Sequence, residues 1–129
     1  MNTASIAAQS LLDFLNIKSG FDIEINKNIK PGSGIGSSAA SAVGAVYGIN
    51  ELLGSPLKKQ ELLKFAMQGE FVSSKTAPAD NVASSLHGGL ILVNNRENYN
   101  VIQLPVPKNL YAVIPVSYTH LTLPTIYSV

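Results

Sequence analysis

Residues Pro31-Gly32-Ser33-Gly34-Ile35-Gly36-Ser37-Ser38-Ala39-Ala40 carry a glycine loop straight into a run of small side chains, and this junction constrains the chain more than any other part of it. Glycines at 32, 34 and 36 open backbone dihedrals closed to other residues and let the main chain approach a bulky anion with its amides turned inward. Ser37, Ser38, Ala39, Ala40, Ser41 and Ala42 then open a helix, whose unpaired first-turn N–H groups and positive dipole end favour a phosphate. The hydroxyls of Ser37 and Ser38 add a phosphate donor and a ligand for Mg2+. A Cβ at Gly34 is expected to crowd such a loop. Loop chemistry alone also accommodates a Gly/Ser hairpin or a flexible linker. Two other phosphate motifs are excluded. The spacing is G-x-G-x-G rather than the dinucleotide G-x-G-x-x-G, and no Gly-Lys-Ser/Thr follows.

A length of 129 residues with 46% hydrophobic and 13% charged side chains fits one domain with a real core and is too short for a complete two-domain enzyme. Nine basic residues against eight acidic ones give a net charge of +1, with no basic cluster that would attract nucleic acid or an anionic membrane, so a small molecule is the expected partner. Zero cysteines exclude disulfides, thiolate catalysis and zinc–thiolate sites and suit a cytoplasmic location. No stretch approaches the roughly 18 apolar residues of a membrane span, and no basic segment followed by an apolar run marks an export signal.

Apolar residues at helical spacing between Thr3 and Asn16 predict an amphipathic helix. Phe21 to Asn26 alternates apolar and polar residues, which predicts a half-buried strand leading into the glycine loop. A helix from Ser37 to about Leu53, broken by Gly54-Ser55-Pro56, and another from Lys58 to Gly69 follow. Ser73 to Pro78 reads as a loop, and Asp80 as the cap of a short helix through Leu86. Leu90 to Val93, Val101 to Leu104 and Leu110 to Ile114 read as strands. The class is α+β.

Read as I-K-P-G-S-G-I-G-S-S-A-A, Ile29 to Ala40 resembles the second signature of the GHMP kinases, the galactokinase, homoserine, mevalonate and phosphomevalonate kinase family. Lys30 stands where proline is commoner, and Ile35 where leucine is. Gly69-Glu70, Ser73-Ser74, Asp80-Asn81-Val82-Ala83 and Gly88-Gly89 resemble the homoserine kinase branch in order and spacing, although Pro78 replaces that branch's usual histidine and Ser84 its proline. The resemblance implies the ribosomal protein S5 domain 2-like layer of the family's N-terminal domain, here incomplete, with a left-handed β-α-β crossover. It implies ATP-dependent phosphorylation of L-homoserine, with Mg2+, and allows a homodimer in the full-length protein. Met1 is read as an internal start, with the acceptor-binding arginines and a second domain expected beyond Pro115.

The residue roles follow from the same resemblance. Lys30, Pro31, Gly32, Ser33, Gly34, Ile35, Gly36, Ser37, Ser38, Ala39 and Ala40 would hold ATP, joined by Asn2, which otherwise reads as a frayed terminal residue. Ser38 and Glu70 would share Mg2+ with phosphate oxygens and water. Without the family, Glu70 reads as a solvated residue at a helix C-terminal end. Asp80 and Asn81, alternatively cap and turn residues, would bind the acceptor. Asn81 cannot take a proton and is read as a positioner, with Asp80 as a base the secondary reading. Lys75 reads as a solvated lysine and His87 as a turn residue. A GHMP kinase with a mevalonate- or sugar-type acceptor, and a non-catalytic phosphate-binding module, remain alternatives.

Val116 to Thr125, V-S-Y-T-H-L-T-L-P-T, resembles the in-frame translation of a transposase-based sequencing adapter. Residues 116–129 are therefore read as foreign and 1–115 as the domain, with His120 and Tyr118 given no role. The alternative is a natural Thr-rich strand pair broken by Pro124.

Overall fold

The computed structural model describes residues 2–28, 33–75, 79–94 and 99–113. Four helices precede a hairpin: α1 (Thr3–Phe14), α2 (Ser37–Leu52), α3 (Lys59–Ser74), α4 (Ala79–His87), β1 (Leu90–Val93) and β2 (Val101–Leu104). Helices with a small antiparallel sheet bear out the expected α+β class.

α1 starts where Asn2, in extended conformation, accepts a hydrogen bond on Oδ1 from the Ala4 N–H at 3.0 Å. This is the usual work of an N-cap asparagine. Ala4, Ala7, Ala8, Leu11 and Leu12 recur every three or four residues and are all buried, so one face of α1 is committed to the core. α2 buries Ala39, Ala42, Val43, Ala45, Val46 and Ile49, and α3 buries Leu62, Leu63, Phe65, Ala66 and Met67. These three helices pack each against the other two, and α4 packs on α2, α3 and β1. The small residues on α1 and α2 set how close the axes come.

Contacts at both ends of the layer fix its directions. Along α1 and α3, the Phe14 and Phe65 rings lie 5.2 Å apart at one end, while Thr3 and Ala7 meet Gly69 at the other. Along α2 and α3, Tyr47 meets the Lys59 ammonium at 5.7 Å, while Ala42 meets Gly69. Hence α1 and α2 are parallel to each other and antiparallel to α3, and both begin at the C-terminal end of α3.

β1 pairs antiparallel with β2 in the register Leu90↔Leu104, Ile91↔Gln103, Leu92↔Ile102 and Val93↔Val101. Ile91, Val93 and Val101 pack against the helical core, whereas Leu90, Leu92, Ile102 and Leu104 share the opposite, exposed face. Phe21 to Asn26, expected to be a strand, is irregular, and Ile23 and Ile25 stay 38% and 36% exposed. Alternation prepares a strand but a ladder needs a neighbour, and this segment has none among the described residues. The same correction applies to Leu110–Val113, whose Leu110, Tyr111 and Val113 are exposed. Ile114 and the 116–129 tail lie outside the described residues. With one hairpin as the only sheet among the described residues, these residues contain no β-α-β crossover of either hand.

α3 runs five residues beyond the expected end at Gly69, so Ser73 and Ser74 are helical rather than loop and the left-handed Lys75 closes the helix. Helix propensity placed the stop at glycine, but packing at that glycine holds the helix through it. Asn50, 2% exposed, ties the α2–α3 connection: its Nδ2 donates to the Leu57 carbonyl and its Oδ1 accepts from the Leu57 N–H, both at 3.1 Å. Asn50→Ala leaves both backbone groups without their partner and is expected to cost about 2 kcal/mol in urea unfolding. Asn50→Asp, which keeps the acceptor but sets a buried carboxylate oxygen against the Leu57 carbonyl, should cost at least as much.

Candidate phosphate site

The glycine loop enters α2 through two left-handed residues, Gly34 at φ 73° and Gly36 at φ 72°. Gly36 is the N-cap and brings no side chain to the first-turn amides, while its carbonyl accepts the first helical bond from Ala40 N–H at 2.9 Å. The N-cap residue thus places no side chain over the positive end of the helix, the end that favours an anion. A Cβ on Gly34 would meet nothing within 4 Å. The described residues do not supply the crowding expected there, and the cost of a side chain lies in its positive φ.

The Asn81 side chain reaches this loop. Its Oδ1 lies 3.5 Å from where a Cβ on Gly36 would stand, so α4 brings Asn81 against the start of α2. Asp80, expected as a cap, sits inside the first turn of α4 and is exposed, with Oδ1 accepting the Asn81 N–H at 2.9 Å. Of the pair, Asn81 faces the loop and Asp80 is engaged locally.

Glu70 is 6% exposed and lies in α3, five residues before the helix closes, which replaces the solvated helix-end reading. Its neighbour Gly69 packs on Ala42, and Ser38 is one turn nearer the start of α2 on the same face. The α3 end would by itself repel a carboxylate, but the positive ends of α1 and α2 lie beside it and oppose that effect. Asn2 caps α1 at this same end and is not frayed; the cap uses Oδ1 and leaves the Nδ2 hydrogens to serve a ligand.

Lys27 is the residue that sequence reasoning missed. Its Nζ donates to the Ser37 carbonyl at 3.1 Å, placing a cation at the start of α2. No spacing rule marks it; the signal was only a lysine shortly before a glycine loop. Together with Ile23, Ile25, Ser41 and Gly44 it lines a groove of about 590 Å3 that runs along α2 from Ser37. Among the predicted ATP contacts, Ala39 is fully buried and turned to the core, Ile35 and Ala40 are exposed, and Lys30, Pro31 and Gly32 lie outside the described residues.

No group of three or more His, Cys, Asp or Glu side chains among the described residues could hold a metal by itself. A magnesium ion here would rest on phosphate oxygens and water, with Glu70 and the Ser38 hydroxyl as hard oxygen donors, a set that suits it. No helix among the described residues is long and apolar enough to cross a membrane.

With this arrangement in view, the chain belongs to the GHMP kinase family: the model of the GHMP kinases N terminal domain matches residues 2–89. Homoserine kinase from Sulfolobus acidocaldarius is 46% identical over 117 residues, covering 89% of this chain and 38% of that protein. Homoserine kinase from Methanococcus maripaludis is 41% identical over 114 residues, again covering 38% of the relative. A solved structure of homoserine kinase from Cytophaga hutchinsonii superposes with a TM-score of 0.79 at 49% identity, over 84% of this chain and 34% of that one. The chain thus spans well under half the length of the relatives it matches.

His87 closes α4 rather than forming a turn, and its Nε2 is buried with no hydrogen-bond partner among the described residues. Burial, and then the nearby Lys59 charge, push its imidazole below the ordinary histidine value. The unfolded chain takes up a proton at about pH 6.5, before the folded one does, so stability should fall as pH drops below that point. Thermal unfolding across pH 5 to 8 checks this, and His87→Gln should flatten the acid limb. At the loop, Gly36→Ala is expected to lose about 1 to 2 kcal/mol through its left-handed φ while remaining folded, since its methyl group finds an ordinary contact distance to Asn81.

Proposed function

We propose that this chain is part of the nucleotide-binding domain of a homoserine kinase, which moves the γ-phosphoryl group of ATP to the hydroxyl of L-homoserine and so serves threonine biosynthesis in the cytoplasm. The observation that carries the reading is the meeting of Asn81 with Gly36, which puts a polar side chain from α4 beside a helix start whose N-cap is glycine. Sequence identities of 41% to 49% with proteins named homoserine kinase support the choice of acceptor.

In the reaction, the acceptor oxygen bonds to the γ-phosphorus as the bond from that phosphorus to the β–γ bridging oxygen breaks, ADP leaves, and the hydroxyl proton passes to solvent. Such a transfer asks for positioning and charge neutralisation more than covalent help. The amides of Gly34 to Ser38 and the Lys27 ammonium would cradle the phosphates. Asn81 would orient the acceptor hydroxyl by hydrogen bonding without accepting its proton. Magnesium, when bound, neutralises phosphate charge; Glu70 and Ser38 are the residues that would hold it.

Binding of ATP to the chain, followed by calorimetry, tests the reading. Glu70→Gln should weaken ATP binding at least tenfold in the presence of Mg2+ and much less in its absence. The 129-residue polypeptide should show negligible homoserine-dependent ADP release, because residues beyond this stretch are proposed to complete the acceptor site. In the full-length gene product, a panel of homoserine, mevalonate and galactose should give turnover with homoserine alone; turnover with another acceptor would reassign the substrate. Resequencing across codons 110 to 130 should replace the adapter-like residues 116–129 with new sequence.

A further inference from the structure

Gly69 stands inside α3, five residues before its last, where glycine costs about 1 kcal/mol relative to alanine. Its lack of a side chain is used fully. A Cβ there would run into the Thr3 carbonyl oxygen, would lie 2.9 Å from the Ala7 Cβ, and would lie 3.3 Å from the Ala42 Cβ. Gly44 and Gly48 on α2 differ: an added Cβ meets nothing within 4 Å at either among the described residues.

We propose that Gly69 is a positioning residue of the phosphate site: by carrying no side chain it lets the starts of α1 and α2 close on α3 one residue before Glu70, and so fixes the Glu70 carboxylate against them. This rests on the kinase reading above. The tightest contact is to a main-chain oxygen, which cannot rotate away as a side chain would. Relief must therefore come from moving a helix. Ala4 and Ala7 are 1% and 0% exposed and wedge α1 into the core. Thr3 and Ala7 lie on α1 and Ala42 on α2, so a shift of α3 is the one movement that relieves all three contacts, and it carries Glu70 away from both the Asn2 cap and the start of α2. Magnesium tolerates little departure from octahedral geometry, so the metal-dependent part of nucleotide binding is the sensitive readout.

The test compares ATP binding to the chain with Mg2+ and with EDTA. Gly69→Ala should weaken binding tenfold or more with Mg2+ and less than threefold with EDTA, so that the advantage given by the metal collapses. Gly48→Ala, which fills open space away from the groove, should change neither. Ala7→Ser enlarges the same contact more gently from α1 and should show the same selective loss to a smaller degree, which keeps the test decisive if Gly69→Ala does not fold. Losses in the same proportion with Mg2+ and EDTA would mean that Gly69 serves stability only and would overturn the proposal, as would no loss at all. Failure of the unaltered chain to bind ATP under either condition would instead overturn the kinase reading, and this inference with it.

Discussion

The contact of the Thr3 carbonyl, Ala7 and Ala42 with Gly69 governs the rest of the structure, because it sets the closest approach of three helices at one end of the layer. Larger side chains at these positions would hold the axes further apart and leave space that a close-packed interior does not tolerate. From that approach follow the direction of α1 and α2 against α3, the burial of Glu70, and the gathering of Asn2 and the glycine loop at the same end.

That end is electrostatically coherent. Helix starts offer unpaired amides and partial positive charge, Lys27 adds a full one beside Ser37, and the buried carboxylate of Glu70 balances part of it. Such a mixture suits a phosphate chain accompanied by a divalent cation better than a bare anion, which would have to share the site with a carboxylate. The proposed site also separates two duties: α2 would supply amides, while α4 brings Asn81 from another direction to the same place. A phosphate-binding module would need the first duty alone.

The helices were legible from apolar spacing, and α1 and α2 end within two residues of the expected positions, with Asn16 and Gly54 left-handed just beyond them. Propensity failed where tertiary packing overruled it: Gly69 reads as a stop, yet packing holds the helix through it. It failed again at Phe21–Asn26, since alternation cannot announce whether a neighbouring strand is present. The loop pointed to phosphate binding and the role proposed for Asn81 came from resemblance; the structure adds that Asn81 lies against Gly36. Lys27 was invisible, because its value arises from a hydrogen bond to a carbonyl ten residues away.

Amide chemical-shift mapping of the isotopically labelled chain during titration with Mg2+ and ATP bears most directly on whether these helix starts and Glu70 form one nucleotide site. The expected result is a saturable set of shifts at Gly34 to Ser38, Glu70 and Asn81 with a common midpoint. Shifts confined to another surface, or midpoints that differ between Gly36 and Glu70, would contradict it.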